Sequence, residues 1–438
     1  MRALLGMAVL AGILWLFSTQ RKSIAWRTIG GALLLQFLLA ILVLKVPGVK
    51  DAFSYVAELF VVLIGYTDRG TDFLLGSFGM EGKVDVSLEN FAFRLLPTIV
   101  FFSAFSALLH FAGVLPLFIR GFAWLMRRTL KLSGTESLAV AGNVFLGQTE
   151  SPLLIRPYLE KMTRSELMLV MTGGMATIAG SVFATYVAFL GGDDPAAQAY
   201  FATHLLTASL ISAPAAVAAA KLLVPETDMQ SAGKVELVKS DAANFLEAIT
   251  NGTRDGLVLA ANVGVMLLVF TALVYMSNDI LAWVGSWTGL NDAIAAGTRF
   301  DSLSMEFLLG YLGAPLAWLV GVPMQDAVLV GQLLGEKTVI NEFYAYVTLM
   351  NMKEAGDFVN ERSVLIATYI LCGFANFASI GIQVGGIGVL APSRRAELAK
   401  LGFRALLGGT VACMLTACVS PSSPDSRLSR SAPRIFAP

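Results

Sequence analysis

Residues 142–152 run Gly-Asn-Val-Phe-Leu-Gly-Gln-Thr-Glu-Ser-Pro and place a carboxylate and two amides in a stretch otherwise apolar enough for a bilayer. Gly142 and Gly147 permit backbone geometry that other residues resist, and Pro152 lacks an amide hydrogen and stops a helix. Such a segment does not cross a membrane as an ordinary helix. It turns back on itself and leaves unpaired backbone groups aimed at a small polar ligand.

The rest of the chain supports that setting. Apolar residues make up 56 % of it and charged ones 14 %, with a mean hydropathy of +0.71. Soluble proteins carry roughly 25 % charged residues. The deficit and the repeated long apolar runs predict a polytopic helical membrane protein. The formal net charge of zero gives no argument for nucleic acid. Cys372, Cys413 and Cys418 sit in apolar stretches without metal-ligand spacing and read as buried free thiols. Met1 to Phe17 lacks a small-x-small cleavage site and reads as a first span rather than a leader.

Charge placement orients the spans. Arg21, Lys22 and Arg27 mark a cytoplasmic loop after the first span, so the amino terminus lies outside. A second span runs to about Val46. Residues 51–70 read as an interfacial helix with Val56, Leu59, Phe60, Leu63 and Ile64 on one face. Seven acids and four bases between Lys45 and Asn90 suit the outer side. A third span starts near Phe91, and Arg120, Arg127, Arg128 and Lys131 bring the chain inside. Residues 134–162 then form a re-entrant hairpin closed by Arg156, Lys161 and Arg164. Leu167 to Leu190 is a span interrupted at Gly173-Gly174, leaving through the acidic loop at Asp193-Asp194. Tyr200 to Leu223 returns, with Lys221, Lys234 and Lys239 inside, and residues 225–241 read as a cytoplasmic linker.

In the second half a long apolar helix covers about Leu257 to Trp287. Met305 to Val320 is a short helix weakened by Gly310, Gly313 and Pro315. Gln325 to Met350, with Glu336, Lys337, Asn341 and Glu342 amid apolar residues, is a second re-entrant candidate, opening from outside. Val364 to Leu390 is a span interrupted at Gly373. Ala405 to Cys418 leads out, and the polar tail from Ser420 reads as disordered, its three arginines counting against an outer location. Gly174-Met-Ala-Thr-Ile-Ala179 and Gly373-Phe-Ala-Asn-Phe-Ala378 occupy matching places. Each follows a polar hairpin and precedes one more span, and the two hairpins enter from opposite sides. That order is the mark of an inverted repeat.

A carboxylate at bilayer depth is costly, so Glu150 and Glu342 point to a polar substrate or a cation held between hairpin tips; for Glu342 a salt bridge to Lys337 is the plainer alternative. Gln148 and Asn376 both donate and accept, which suits the edge of a heterocycle or a sugar hydroxyl. Phe374 can stack on a ring or simply pack. Asn143 and Thr177 offer neutral oxygens, and interrupted helices beside them would expose the carbonyls of Leu146 and Ile178, a donor set suited to Na+; the same residue types also cap helices. His110 and His204 are distant from each other and from the hairpins. No phosphate-binding loop exists to drive transport with ATP.

The motifs Gly147-Gln-Thr-Glu-Ser-Pro152, Asn341-Glu-Phe343, Cys372-Gly-Phe-Ala-Asn-Phe-Ala-Ser-Ile-Gly381 and Ala391-Pro-Ser-Arg-Arg395 resemble those of the concentrative nucleoside transporters, from the first span to about Cys418. The resemblance implies an all-α polytopic fold with eight spanning helices plus two re-entrant hairpins. It implies a homotrimer in the inner membrane, with fixed scaffold and moving transport domains. The matching division of this chain is scaffold in 1–119, a first transport repeat in 120–223, a linker in 224–256, a long scaffold helix in 257–300, a second transport repeat in 301–419 and a tail in 420–438. By the same resemblance Gln148, Thr149 and Glu150 meet the nucleobase directly or through water, with Val182 and Phe374 packing on it. Glu342, Asn376 and Ser379 hold the ribose hydroxyls. The sodium ion takes Asn143, Thr177 and the carbonyls of Leu146 and Ile178; the family's serine is Thr177 here, and the hydroxyl is kept.

The expected function is import of nucleosides coupled to a Na+ gradient by an elevator-type movement, with nucleoside, Na+ and the lipid bilayer as partners. Proton coupling is the alternative within the class. An intramembrane enzyme using Glu150 and Glu342 as an acid/base pair, or a passive channel or receptor, are the alternatives outside it.

Overall fold

The computed structural model describes residues 2–75, 96–192, 194–228 and 242–421, and the regular structure among these residues is helical. The first half runs α1 (Arg2–Leu16), α2 (Trp26–Lys45), α3 (Pro47–Leu75), α4 (Leu96–Phe111), α5 (Val114–Leu130), α6 (Gly134–Asn143), a 3₁₀ segment (Ser151–Lys161), α7 (Arg164–Ala176), α8 (Gly180–Gly191) and α9 (Pro195–Leu223). The second runs α10 (Phe245–Thr288), α11 (Leu290–Gly297), α12 (Met305–Val320), α13 (Ala327–Val339), α14 (Glu342–Glu354), α15 (Glu361–Leu371), α16 (Phe377–Leu390) and α17 (Arg395–Cys418). Among the described residues five helices are long and apolar enough to cross a bilayer, counting α7 with α8 as one; α4 and α5 add a sixth if their 73° bend lies within one span. The chain is thus an all-helical protein with a membrane-spanning composition.

Local sequence fixes where the elements begin. Ser133 and Glu136 form a capping box at the start of α6, and Thr163 with Glu166 does the same for α7. Asn341 caps α14 by accepting from Tyr344 N at 2.9 Å, and Asn376 caps α16 by accepting from Ser379 N at 2.8 Å. Both caps lie at breaks within apolar sequence, where the capping side chain replaces partners the bilayer cannot supply.

Burial sorts the helices into two kinds. The α7–α8 span is 94 % buried and the α9 window 89 %, while α10 is only 17 % buried. The first group forms the core with α17, and α10 presents an apolar surface outward. At 44 residues α10 is about 66 Å long, twice the roughly 30 Å hydrocarbon layer. It packs along α4, where a Cβ on Gly252 would come within 2.7 Å of Ala107 and one on Gly256 within 2.7 Å of Ser103. These glycines let the two backbones touch.

Each polar hairpin is fastened at its base. Lys221, at the end of α9, is ion-paired with Glu136 of α6 and donates to Ser165 Oγ of α7 at 2.9 Å. Glu226 joins this cluster through Lys221 at 3.4 Å and Thr163 at 2.9 Å. In the second half Asp326, fully buried just before α13, accepts from the backbone N–H groups of Val359 and Asn360 at 2.9 and 3.1 Å and from Ser363 Oγ at 2.5 Å.

Several expectations are corrected. The first interrupted span breaks at 177–179, not at Gly173-Gly174, which are helical. The glycine pair makes room for Asn143 and Gln148 instead of bending the chain. Helix α12 spans Met305–Val320 as expected, with Gly310 and Gly313 seating it against Gly331 of α13. Helix α10 begins at Phe245, about three turns before the expected start near Leu257, and is capped by Asn244. On α3 the buried stripe is Ala57, Ile64, Thr67 and Thr71, while Val56 and Leu59 are exposed. Cys372 and Cys413 are buried free thiols; Cys418 is only half-buried. Phe91, Glu81, Asp85, Glu89, Lys234, Lys239 and the tail beyond Pro421 lie outside the described residues.

Candidate functional site

Both hairpin tips converge on the first two turns of α16. Asn376, the cap of that helix, donates through Nδ2 to Glu342 Oε2 at 2.7 Å. Tyr186 of α8 donates its hydroxyl to Glu342 Oε1 at 3.3 Å, and its ring stacks on Tyr346 at 4.3 Å. From the other hairpin, Gln148 Nε2 donates to Ser379 Oγ at 3.1 Å. Gln383 Nε2 donates to Gln148 Oε1 at 3.0 Å. Gln148, Ser379, Asn376 and Glu342 therefore line one polar seam between the halves, all of them buried. Val182 lies buried in the first turn of α8, and Phe374 lies buried in the break before α16.

The seam carries two kinds of group. Glu342 is a carboxylate oriented by a phenol and an amide, and it suits hydroxyl donors. Gln148 and Asn376 supply amides, which read the edge of a planar heterocycle. The Lys337 ammonium donates to the Ile370 carbonyl at 2.8 Å, at the broken end of α15, so the plainer role expected for Glu342 as half of a Lys337 salt bridge is not the contact formed.

A second cluster lies where α6 ends and the α7–α8 span breaks. Asn143 is 1 % exposed, and neither Oδ1 nor Nδ2 of its side chain has a hydrogen-bond partner. Thr177 donates to Gly173 O at 2.9 Å, which leaves its oxygen lone pairs free to accept. Among the described residues no backbone N–H is bonded to the carbonyl of Leu146 or of Ile178. An unsatisfied buried amide is costly, so this cluster has unmet capacity for a ligand. Four neutral oxygens fit a small monovalent cation. Among the described residues no group of three or more His, Cys, Asp or Glu is placed to hold a metal.

Glu150 lies at the turn of the first hairpin. Its carboxylate accepts from Gly147 N within the turn. It lines a cavity of about 330 Å³ with Ser103 and His110 of α4, Arg156, and Asn251 and Asp255 of α10. His110 is therefore close to the first hairpin, contrary to its distance in sequence. His204 instead bonds Tyr369 at 3.0 Å. Thr149 is exposed beside Gly386. Tyr186 and Gln383 were not anticipated. Gln383 is four residues after Ser379 and seven after Asn376, the spacing of one helix face, and that spacing was the available signal.

Comparison with known proteins identifies the family. Residues 5–78 and 204–421 match the family models for the N-terminus and C-terminus of the Na+ dependent nucleoside transporters, and residues 92–193 match one described as nucleoside recognition. An uncharacterized transporter of Haemophilus influenzae is 38 % identical over 95 % of this chain and 96 % of its own length. The chain belongs to the Na+ dependent nucleoside transporter family. Solute carrier family 28 member 3 of Rattus norvegicus is 40 % identical over 96 % of this chain; the match spans only 58 % of that longer protein. The solved structure of the transporter CNTnw in an inward-facing substrate-bound state is 38 % identical, covers 95 % of this chain and 96 % of its own, and superposes with a TM-score of 0.85. These members of the family are transporters, not enzymes.

Proposed function

We propose that this chain is a secondary active symporter that imports nucleosides across the inner membrane, driven by a Na+ gradient. The observation that carries the reading is the pairing of two unlike groups at the hairpin ends. One is a buried carboxylate held by Tyr186 and Asn376; the other is a buried Asn143 amide with no protein partner. Ribose presents a vicinal diol. Glu342, Asn376 and Ser379 would take its hydroxyls, and hydrogen bonds to the charged group are worth about 1.5–3 kcal/mol each. Gln148 and Thr149 would meet the base, with Val182 and Phe374 against its faces. Glu150 would reach it only through water, because its side chain lies toward the cavity on the far side of the tip.

Sodium would be held by Asn143, Thr177 and the carbonyls of Leu146 and Ile178. When bound it supplies the positive charge that draws the hairpin and the broken span together. The 330 Å³ cavity between the hairpin tip and α4 and α10 would be the way out to the cytoplasm. In this reading residues 120–223 and 301–419 move as transport repeats. The pair α4–α10, with residues 1–119 and 257–300, stays as scaffold, and exposed apolar α10 faces lipid or other subunits of a homotrimer. The helices would amount to eight spans and two re-entrant hairpins, with the amino terminus outside.

The test is uptake of labelled uridine into proteoliposomes at fixed pH. Accumulation above the external level that requires an inward Na+ gradient is expected. Accumulation driven instead by a proton gradient would replace Na+ with H+ as the coupling ion. Equilibration without accumulation would make the protein a passive path.

A further inference from the structure

We infer that Gln383 is a positioning residue that fixes the hydrogen-bonding polarity with which Gln148 meets the nucleobase. The inference rests on the reading of Gln148 as a base contact. An amide side chain can be turned end for end with almost no change of shape, so a lone Gln at a recognition site reads donors and acceptors ambiguously. Here the ambiguity is removed by a chain of contacts that begins at the backbone. The Met171 carbonyl of α7 can only accept. Gln383 Nε2 lies 3.0 Å from it and 3.0 Å from Gln148 Oε1. The amino end of Gln383 must therefore face Met171, and its second N–H must face Gln148. The carbonyl end of Gln148 is thereby set toward Gln383, and its amino end toward Ser379 Oγ at 3.1 Å. Ser379 accepts that bond, so its own hydroxyl hydrogen is free for the ligand.

Space is reserved for the relay. A Cβ on Gly174 would come within 2.7 Å of Gln383 Nε2 and 2.9 Å of Gln148 Cβ. The relay also costs stability. Gln383 is 1 % exposed, and its Oε1 has no protein partner. An apolar side chain would avoid that cost, so packing alone does not account for an amide at this position.

The test measures binding of uridine, cytidine and 2′-deoxyuridine to purified protein, with thermal unfolding as the check on folding. Gln383→Met keeps the shape and removes the relay. The uridine-to-cytidine affinity ratio should move toward one by about 5–10-fold, the size of one neutral hydrogen bond. The penalty for losing the 2′-hydroxyl should change by much less, because Glu342 and Asn376 lie outside the relay. Gln383→Glu offers only acceptors, turns Gln148 end for end, and should invert the base preference. Gly174→Ala should reproduce the Gln383→Met pattern with Gln383 intact. Base ratios unchanged in folded Gln383→Met and Gln383→Glu would overturn the inference, as would base and 2′-deoxy penalties falling together. A parent protein that binds no nucleoside would instead overturn the proposed function.

Discussion

The two polar hairpins of this protein have different chemistry. The first has one short α-helical arm, α6, and one 3₁₀ arm, and its tip is turned by Gly147. The second has two helical arms, α13 and α14, and its tip is a capped break at Asn341. At the base the first is held by side-chain charges around Lys221, the second by Asp326 accepting from main-chain N–H groups. At the tip the first offers neutral groups, including the unpartnered Asn143, and the second offers the carboxylate Glu342 already held by two donors. In the proposed inverted repeat each copy is free to specialise. The first is suited to an exchangeable cation and a base edge, the second to a diol.

That contrast can be broken at four points. The largest effect is expected at the first base. Lys221→Met takes the ammonium partner from the buried Glu136 carboxylate and should destabilise the protein by about 3–5 kcal/mol, read by thermal unfolding in detergent. Adding Glu136→Leu should recover most of it; a failure to recover would locate the strength of this joint elsewhere than in the ion pair. Next is Glu342→Gln at the second tip. Ribonucleoside affinity should fall about 100-fold, from weakening two bonds to charge of about 1.5–3 kcal/mol each, while stabilisation of the protein by Na+ alone is kept. Near-parent affinity would mean the diol is held by other groups.

Asn143→Ala should act the other way round. The Na+ concentration that gives half-maximal thermal stabilisation should rise about tenfold, the value of one or two ligand bonds, with the ribose-to-2′-deoxyribose ratio unchanged. Equal Na+ dependence in parent and variant would remove Asn143 from the cation site. The smallest effect belongs to Glu150→Gln, because that carboxylate is bonded within its own turn to Gly147 and lines the cavity toward α4 and α10. It should change nucleoside affinity by less than about fivefold, within the worth of one exposed contact. A loss as large as that of Glu342→Gln would show that both acids serve the substrate equally.

Much of this was legible in the residues. Polar side chains in apolar sequence marked the two hairpins, and glycine, asparagine and proline marked where helices stop. The six-residue echo between Gly174–Ala179 and Gly373–Ala378 was the ground for expecting a repeat, and both segments fall at breaks between helices. What escaped depended on direction. Nothing in the order of residues told that Glu150 points to the far side of its tip while Gln148 points to the seam. Gly173 and Gly174 looked like a break because glycine weakens helices, yet they are helical and serve as clearance for Asn143 and Gln148. The true break, at Thr177, came one turn later. Tyr186 and Gln383 sit on helix faces that became polar only once both hairpins closed on them.

Lys337 has a mechanical consequence. It is fully buried on α13, and its ammonium is seated on the Ile370 carbonyl of α15. Pulling these two helices apart would bare a full charge and an open carbonyl together in an oily interior. The second hairpin and the broken span behind it are therefore riveted. Whatever displacement the protein undergoes has to carry both as one plate, and hinges belong at the joints outside that plate.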